Sequence, residues 1–229
     1  MGFLRKAKEA MCLLKSEIAF GEAVPQFIRS NAEFMQLWRG VKGRTLVDVN
    51  RIFLLWQFAK HALSISGDVA EIGVYKGGTA KVIASVFHKS IKTVHLFDTF
   101  CGLPEISSKK NSTKHVEQGL FGNLSLDAVK NFLREFNNVE FHIGIFPNSG
   151  KLVIKSKFCF VHIDVDLYQS TKDCLEFFYH KMTSGGIIIS DDYGSPRTPG
   201  VKKAIDNFLE DKKEFPITTA GYQCAIIKL

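Results

Sequence analysis

From residue 68 to the end of the chain, short apolar runs rich in β-branched and aromatic residues alternate with segments of helical period. The runs are DVAEIG (68–73), TVHLFD (93–98), VEFHIG (139–144), FCFVHID (158–164), GGIIIS (185–190) and YQCAIIKL (222–229). Helical period is clearest in SLDAVKNFLREF (125–136) and in Val201, Ala204, Ile205, Phe208 and Leu209, which recur at i, i+3, i+4, i+7 and i+8. This alternation predicts an α/β fold, a mostly parallel sheet with helices on both faces. The nearly all-apolar runs fit strands covered on both sides. The last run differs, because only a short segment around Phe215–Thr219 and a turn at Ala220 and Gly221 precede it. That spacing predicts a terminal hairpin, with the final strand antiparallel.

Length and composition bound the rest. The chain has 229 residues, 45% hydrophobic and 23% charged, enough for one packed domain. Residues 64–229 read as that domain and residues 1–63 as an N-terminal helical extension that acts as a lid or a homodimer contact; its strongest helix spans 46–63. Lys and Arg number 30 against 23 for Asp and Glu, a net +7. The excess is spread along the chain with no basic stripe or recognition helix, so a nucleic-acid partner is not expected. Five cysteines without a C-x-x-C pair point to a reducing cytoplasm. The charges within the first 20 residues argue against a signal peptide, and no apolar stretch is long enough to span a membrane. Residues 99–124 are too long for an ordinary connection and read as a binding loop or lid. There Lys109, Lys110, Lys114 and His115 suit a phosphate-bearing acceptor such as a nucleotide sugar.

Three constellations carry chemistry. Glu71, Gly73, Gly77, Gly78 and Thr79 follow the first sheet strand and open a helix. Glycines there let the backbone turn tightly beside a ligand, while an acidic residue at the strand end would repel a pyrophosphate and suits an amine or sulfonium. Asp98 ends the next strand, where a carboxylate either accepts from ribose hydroxyls or caps the turn. Finally, Asp164 and Asp166 end one strand while Asp191 and Asp192 end the next. Ligands of open parallel sheets sit beyond these ends. Converging Asp164, Asp191 and Asp192 would repel one another unless a cation joined them, and oxygen-only ligands favour Mg²⁺, then Mn²⁺. His162 reads as a buried structural histidine whose ring turns away from the side of Asp164.

The segments EIGVYKGGTA, FDTFCGLP, HIDVDLYQST and GGIIISDDYG, followed by PGVKKAIDNFL, resemble in order and spacing the macrocin O-methyltransferase-like family of class I methyltransferases. The resemblance covers about residues 44–229. It implies a Rossmann-like seven-stranded sheet of order 3-2-1-4-5-7-6 and methylation of a sugar or glycoside hydroxyl with S-adenosylmethionine and Mg²⁺ or Mn²⁺. It further implies that Asp164, Asp191 and Asp192 bind the metal, with Asp164 also touching the cofactor and serving as general base. Glu71, Gly73, Gly77, Gly78, Thr79, Asp98 and Gly144 fall at cofactor positions. A phenolic, catechol-like acceptor is the alternative substrate class, and a nucleic-acid methyltransferase a more distant one.

Overall fold

The computed structural model describes residues 24–104, 117–219 and 221–229. The loop residues Lys109, Lys110, Lys114 and His115, the turn residue Ala220 and the first 23 residues lie outside the described residues. The helices are α1 (Gln26–Arg29), α2 (Ala32–Val41), α3 (Val49–Ala62), α4 (Gly78–Phe87), α5 (Leu126–Phe132), α6 (Tyr168–Phe178) and α7 (Pro199–Leu209). The strands are β1 (Asp68–Ile72), β2 (Val94–Asp98), β3 (Val139–Ile143), β4 (Phe158–Ile163), β5 (Met182–Asp191), β6 (Ile217–Thr218) and β7 (Gln223–Ile227). They form one sheet of order β3-β2-β1-β4-β5-β7-β6. Pairing is parallel from β3 through β5, and β7 runs antiparallel to both β5 and β6, as the hairpin spacing predicts.

Side-chain caps set the starts of three helices. Asn31 accepts from the Phe34 amide to cap α2, and Ser125 accepts from the Ala128 amide to cap α5. Asp48 accepts from the Asn50 and Arg51 amides at the head of α3. Helix α5 stops at Phe132, four residues short of the apolar pattern. Beyond that point the Asn138 side-chain Nδ2 donates to the carbonyls of Phe87 and Lys92, which locks the entry to β3.

Alternation along the strands divides the core in two. Val69, Leu96, Phe160, Ile187, Ile189 and Ala225 face one side and pack with Leu55, Ala59 and Ala62 of α3 and with α4 and α5. Ala70, Ile72, Phe97, Val161, Ile163 and Ile188 face the other, under α6 and α7. Helix α3 therefore shares the core of the sheet domain, while its other flank, Phe53 and Trp56, holds Phe34 of α2 in ring contacts of 4.9 and 5.6 Å. Both faces being covered, the reactive groups are left to the strand ends.

Candidate active site

The parallel ladders run on past the strand ends and draw four connections together. The Gly73 amide donates to Phe97 O, Asp164 N–H to Ile72 O, and Gly144 N–H to Asp98 O, at 2.9 to 3.0 Å. A side chain at Gly73 would begin 1.9 Å from the Asp164 carbonyl, so the approach of the two strand tips itself requires glycine. Gly77 caps α4 at φ +82°. Gly78 is needed because a Cβ there would come 2.7 Å from the Arg44 carbonyl oxygen, to which its amide donates at 3.1 Å, and 2.7 Å from Thr45 Cβ. Thr79 is buried in the first turn of α4. Beside Gly144 there is open space: Ser149 Cβ, at 3.9 Å, is all that an added carbon would meet.

Asp98 accepts at one oxygen from the Val74 and Tyr75 amides and at the other from the Phe100 amide, at 2.7 to 3.0 Å. Of its two sequence readings, the geometry displays the turn cap, with one lone pair of Oδ1 left for a ligand. Four of the five described non-glycine residues with positive φ follow strand ends here: Tyr75, Phe100, Asp166 and Asp192, at φ 51° to 67°. Such backbone is sparsely populated and persists where surrounding structure imposes it.

A row of charged groups crosses the sheet at these tips. His162 bridges Glu71 Oε1, at 2.9 Å from Nδ1, and Asp191 Oδ2, at 2.8 Å from Nε2. The other oxygen of Asp191 accepts from Arg51 of α3 at 2.9 Å and from Gln223 at 3.2 Å. Arg51 also donates to Asp48 Oδ2 at 2.8 Å, which fixes the guanidinium between two carboxylates. Glu71 and His162 are fully buried and Asp191 nearly so. Burial opposes charge on His162, yet its bonds to Asp191 and Glu71 outweigh that and push its pKa up to about 10. A carboxylate on each ring nitrogen thus favours the imidazolium over the neutral ring. Burial likewise opposes charge on Asp191, but Arg51 and His162 hold it below the ordinary carboxylate range.

His162 is buried as expected, but its ring does not turn from the side of Asp164. Residues two apart on a strand share a face, so the alternation places His162 and Asp164 together, and the ring bonds the neighbouring strand's Asp191. Arg51 and Gln223 were not legible as site residues. Arg51 lies 140 positions from the aspartate it holds, and its only local mark is the capping residue Asp48 three positions earlier.

The remaining aspartates lack such partners. Asp164, Asp166 and Asp192 are half-buried around the tips of β4 and β5. Burial first, then repulsion from Asp191 and Asp192, raises Asp164 well above the ordinary range. Asp166 is raised the same way and is hydrogen-bonded to Asp192, while Asp192 is raised by burial and only partly relieved by Arg51. The three proposed ligands stand close enough to repel, but their oxygens are not tightly gathered. Among the described residues, the one triplet of ligand atoms within 4.8 Å of one another is His95, Glu140 and His142 on β2 and β3.

Two features test the fit of a cofactor and a metal. Glu71 Oε2 is buried beside the Gly73 turn without a partner at hydrogen-bond distance, only Thr79 acting on the carboxyl from nearby, which suits a cationic or N–H-bearing ligand. Asp164, Asp166, Asp191 and Asp192 set four carboxyls against Arg51 and His162, with Arg197 acting on Asp192 more weakly, while Glu71 and Asp48 draw on the first two cations. A hard divalent ion fits both the oxygen donors and the charge deficit.

Comparison with known proteins agrees with this architecture. The chain is 28% identical over 170 residues to 8-demethyl-8-(2,3-dimethoxy-alpha-L-rhamnosyl)-tetracenomycin-C 4'-O-methyltransferase of Streptomyces olivaceus, covering 68% of this chain and 64% of that enzyme. It is 24% identical to demethyldecarbamoylnovobiocin O-methyltransferase of Streptomyces niveus, covering 72% and 67% respectively. The chain thus spans about two thirds of the length of these relatives. The solved O-methyltransferase NovP superposes with a TM-score of 0.70 at 23% identity, over 81% of this chain and 82% of that one. The model of the macrocin-O-methyltransferase (TylF) family matches residues 39–227, and the chain belongs to that family.

Proposed function

We propose that this chain transfers the methyl group of S-adenosylmethionine to a hydroxyl of a glycoside or nucleotide sugar, in a reaction that depends on Mg²⁺ or Mn²⁺. The observation that carries the reading is the excess of carboxyl groups at the tips of β4 and β5, next to the glycine turn after β1. Relatives named for methylation of rhamnosyl-tetracenomycin and novobiocin precursors support a sugar-type acceptor.

In the proposed reaction the acceptor oxygen attacks the sulfonium methyl carbon, the carbon–sulfur bond breaks, and its electron pair stays on sulfur to leave S-adenosylhomocysteine. The hydroxyl proton passes to the Asp164 carboxylate, which burial and the crowding of Asp191 and Asp192 make a stronger base than an ordinary aspartate. A divalent ion held by Asp164, Asp191 and Asp192 supplies acidification of the acceptor hydroxyl when bound. Arg51, Gln223 and His162 fix the Asp191 carboxylate in one orientation. Glu71 meets the cationic end of the cofactor through its free oxygen, and Gly73, Gly77, Gly78 and Thr79 keep the turn beside it narrow. Asp98 and Gly144 border the nucleoside, Asp98 through its remaining lone pair. Alignment of the two reactants supplies much of the acceleration.

A methyl-transfer screen over glycosides, nucleotide sugars and catechols, with Mg²⁺ or with EDTA, tests this reading. Metal-dependent product from a sugar-type acceptor is expected. Product from catechols alone, or transfer undiminished by EDTA, would overturn it.

A further inference from the structure

We propose that His95, Glu140 and His142 form a second cation site, taking a zinc-class divalent transition ion, on the open edge of the sheet and apart from the strand tips. His95 is the second residue of β2, Glu140 and His142 the second and fourth of β3, and β3 is the edge strand. Counting along β2 at about 3.3 Å per residue, His95 lies roughly 10 Å behind Asp98 and the tips. The pairing register sets His95 opposite Glu140 and Phe97 opposite His142, so all three candidate ligands emerge on one face.

The geometry is that of a ligand set nearly closed. His95 Nδ1 lies 3.0 Å from His142 Nε2 and 3.5 Å from Glu140 Oε2, and the last separation, His142 Nε2 to Glu140 Oε2, is 4.0 Å. Around a tetrahedral zinc with bonds near 2.0–2.1 Å, neighbouring ligand atoms stand about 3.3 Å apart. Two separations bracket that value. The third closes by a small swing of Glu140, whose side chain is 61% exposed.

Both rings are buried and held. His142 stacks on Phe97 at 4.5 Å with a 16° tilt, and His95 meets Phe158 edge-on at 5.9 Å. The far nitrogen of His95, Nε2, is buried and without a hydrogen-bond partner, with Asp68 Oδ2 3.7 Å away. A ligating histidine commonly turns its other nitrogen to an outer carboxylate, and Asp68 stands in that position. Two imidazoles and one carboxylate favour zinc, copper or nickel over magnesium. With three protein ligands, a fourth position would be left to water. Such an ion staples the edge strand β3 to β2.

The test uses the untagged full-length chain, stripped with EDTA and titrated with Zn²⁺ by calorimetry, with Co²⁺ absorption reporting coordination geometry. One zinc equivalent is expected in the wild type and in Asp164→Asn, with a rise in unfolding temperature. Loss of that equivalent is expected in His142→Gln and in the solvent-facing variant Glu140→Gln, which leaves the core untouched. Asp68→Asn is expected to bind roughly 10-fold or more weakly. Zinc uptake that vanishes in Asp164→Asn would put the ion at the strand tips instead. A wild type that takes up no zinc, or a Glu140→Gln variant that binds as well as wild type, would reduce the pair to a plain imidazole hydrogen bond.

Discussion

Two clusters of charge near opposite ends of β5 are handled in opposite ways. At the amino end, Glu214 accepts from the Tyr179 hydroxyl at 2.6 Å, from the Leu229 amide at 3.1 Å and from Lys228. One carboxylate there meets one ammonium and two neutral donors. Although burial opposes it, that support holds the Glu214 pKa down at about 2. At the carboxyl end, Asp164, Asp166 and Asp192 crowd one another and their carboxyls are pushed up. The balanced cluster stabilises the fold; the unbalanced one costs stability and is what chemistry at the site would draw upon.

The largest effect expected from disturbing this contrast is at the crowded end. Asp164→Asn should lower methyl transfer by ~10²–10⁴-fold. In the metal-free chain the same change removes a repelling charge and should raise the unfolding midpoint, read by thermal melts in EDTA. The sign follows from the raised pKa: Asp164 destabilises the fold wherever it is ionised, so its neutral replacement helps. A lower midpoint would erase the difference between the clusters.

His162→Gln comes next, with an expected loss of roughly 3–5 kcal/mol in urea unfolding, because Glu71 and Asp191 would be left buried without their shared cation. At the balanced end, Glu214→Gln should cost roughly 1.5–3 kcal/mol. Glu214 also sets a pH signature. Its folded pKa is depressed from 4.5 to about 2, so its contribution is complete above the upper value and fades as pH falls toward the lower. Melts between pH 5 and pH 2 should show wild type and Glu214→Gln converging. The smallest effect belongs to the exposed Lys172–Glu176 pair on α6, where Lys172→Ala should change stability by under about 0.5 kcal/mol.

The fold was legible in the sequence because period is a local signal. The first four strands were located to within about a residue, β5 ran longer because Met182–Ser184 show no alternation, and the terminal hairpin strands stop two residues short of their runs, β6 at its start and β7 at its end. The terminal hairpin followed from the shortness of its connection. The site was legible as a set of strand tips, which topology brings together once the order is known. What lay beyond reach was partnership across the sheet. Nothing near Arg51 announces Asp191, nothing near Gln223 announces the same carboxylate, and His162 was misdirected by counting alternation one residue out.

Magnesium titration by calorimetry into the wild type, Asp164→Asn and Glu214→Gln asks most directly whether crowded carboxyls, rather than buried carboxyls in general, hold the ion. One saturable Mg²⁺ equivalent should appear in the wild type and in Glu214→Gln and be lost or strongly weakened in Asp164→Asn. Equal magnesium binding in all three, or none in the wild type, would contradict the assignment of the strand tips as the metal and methyl-transfer centre.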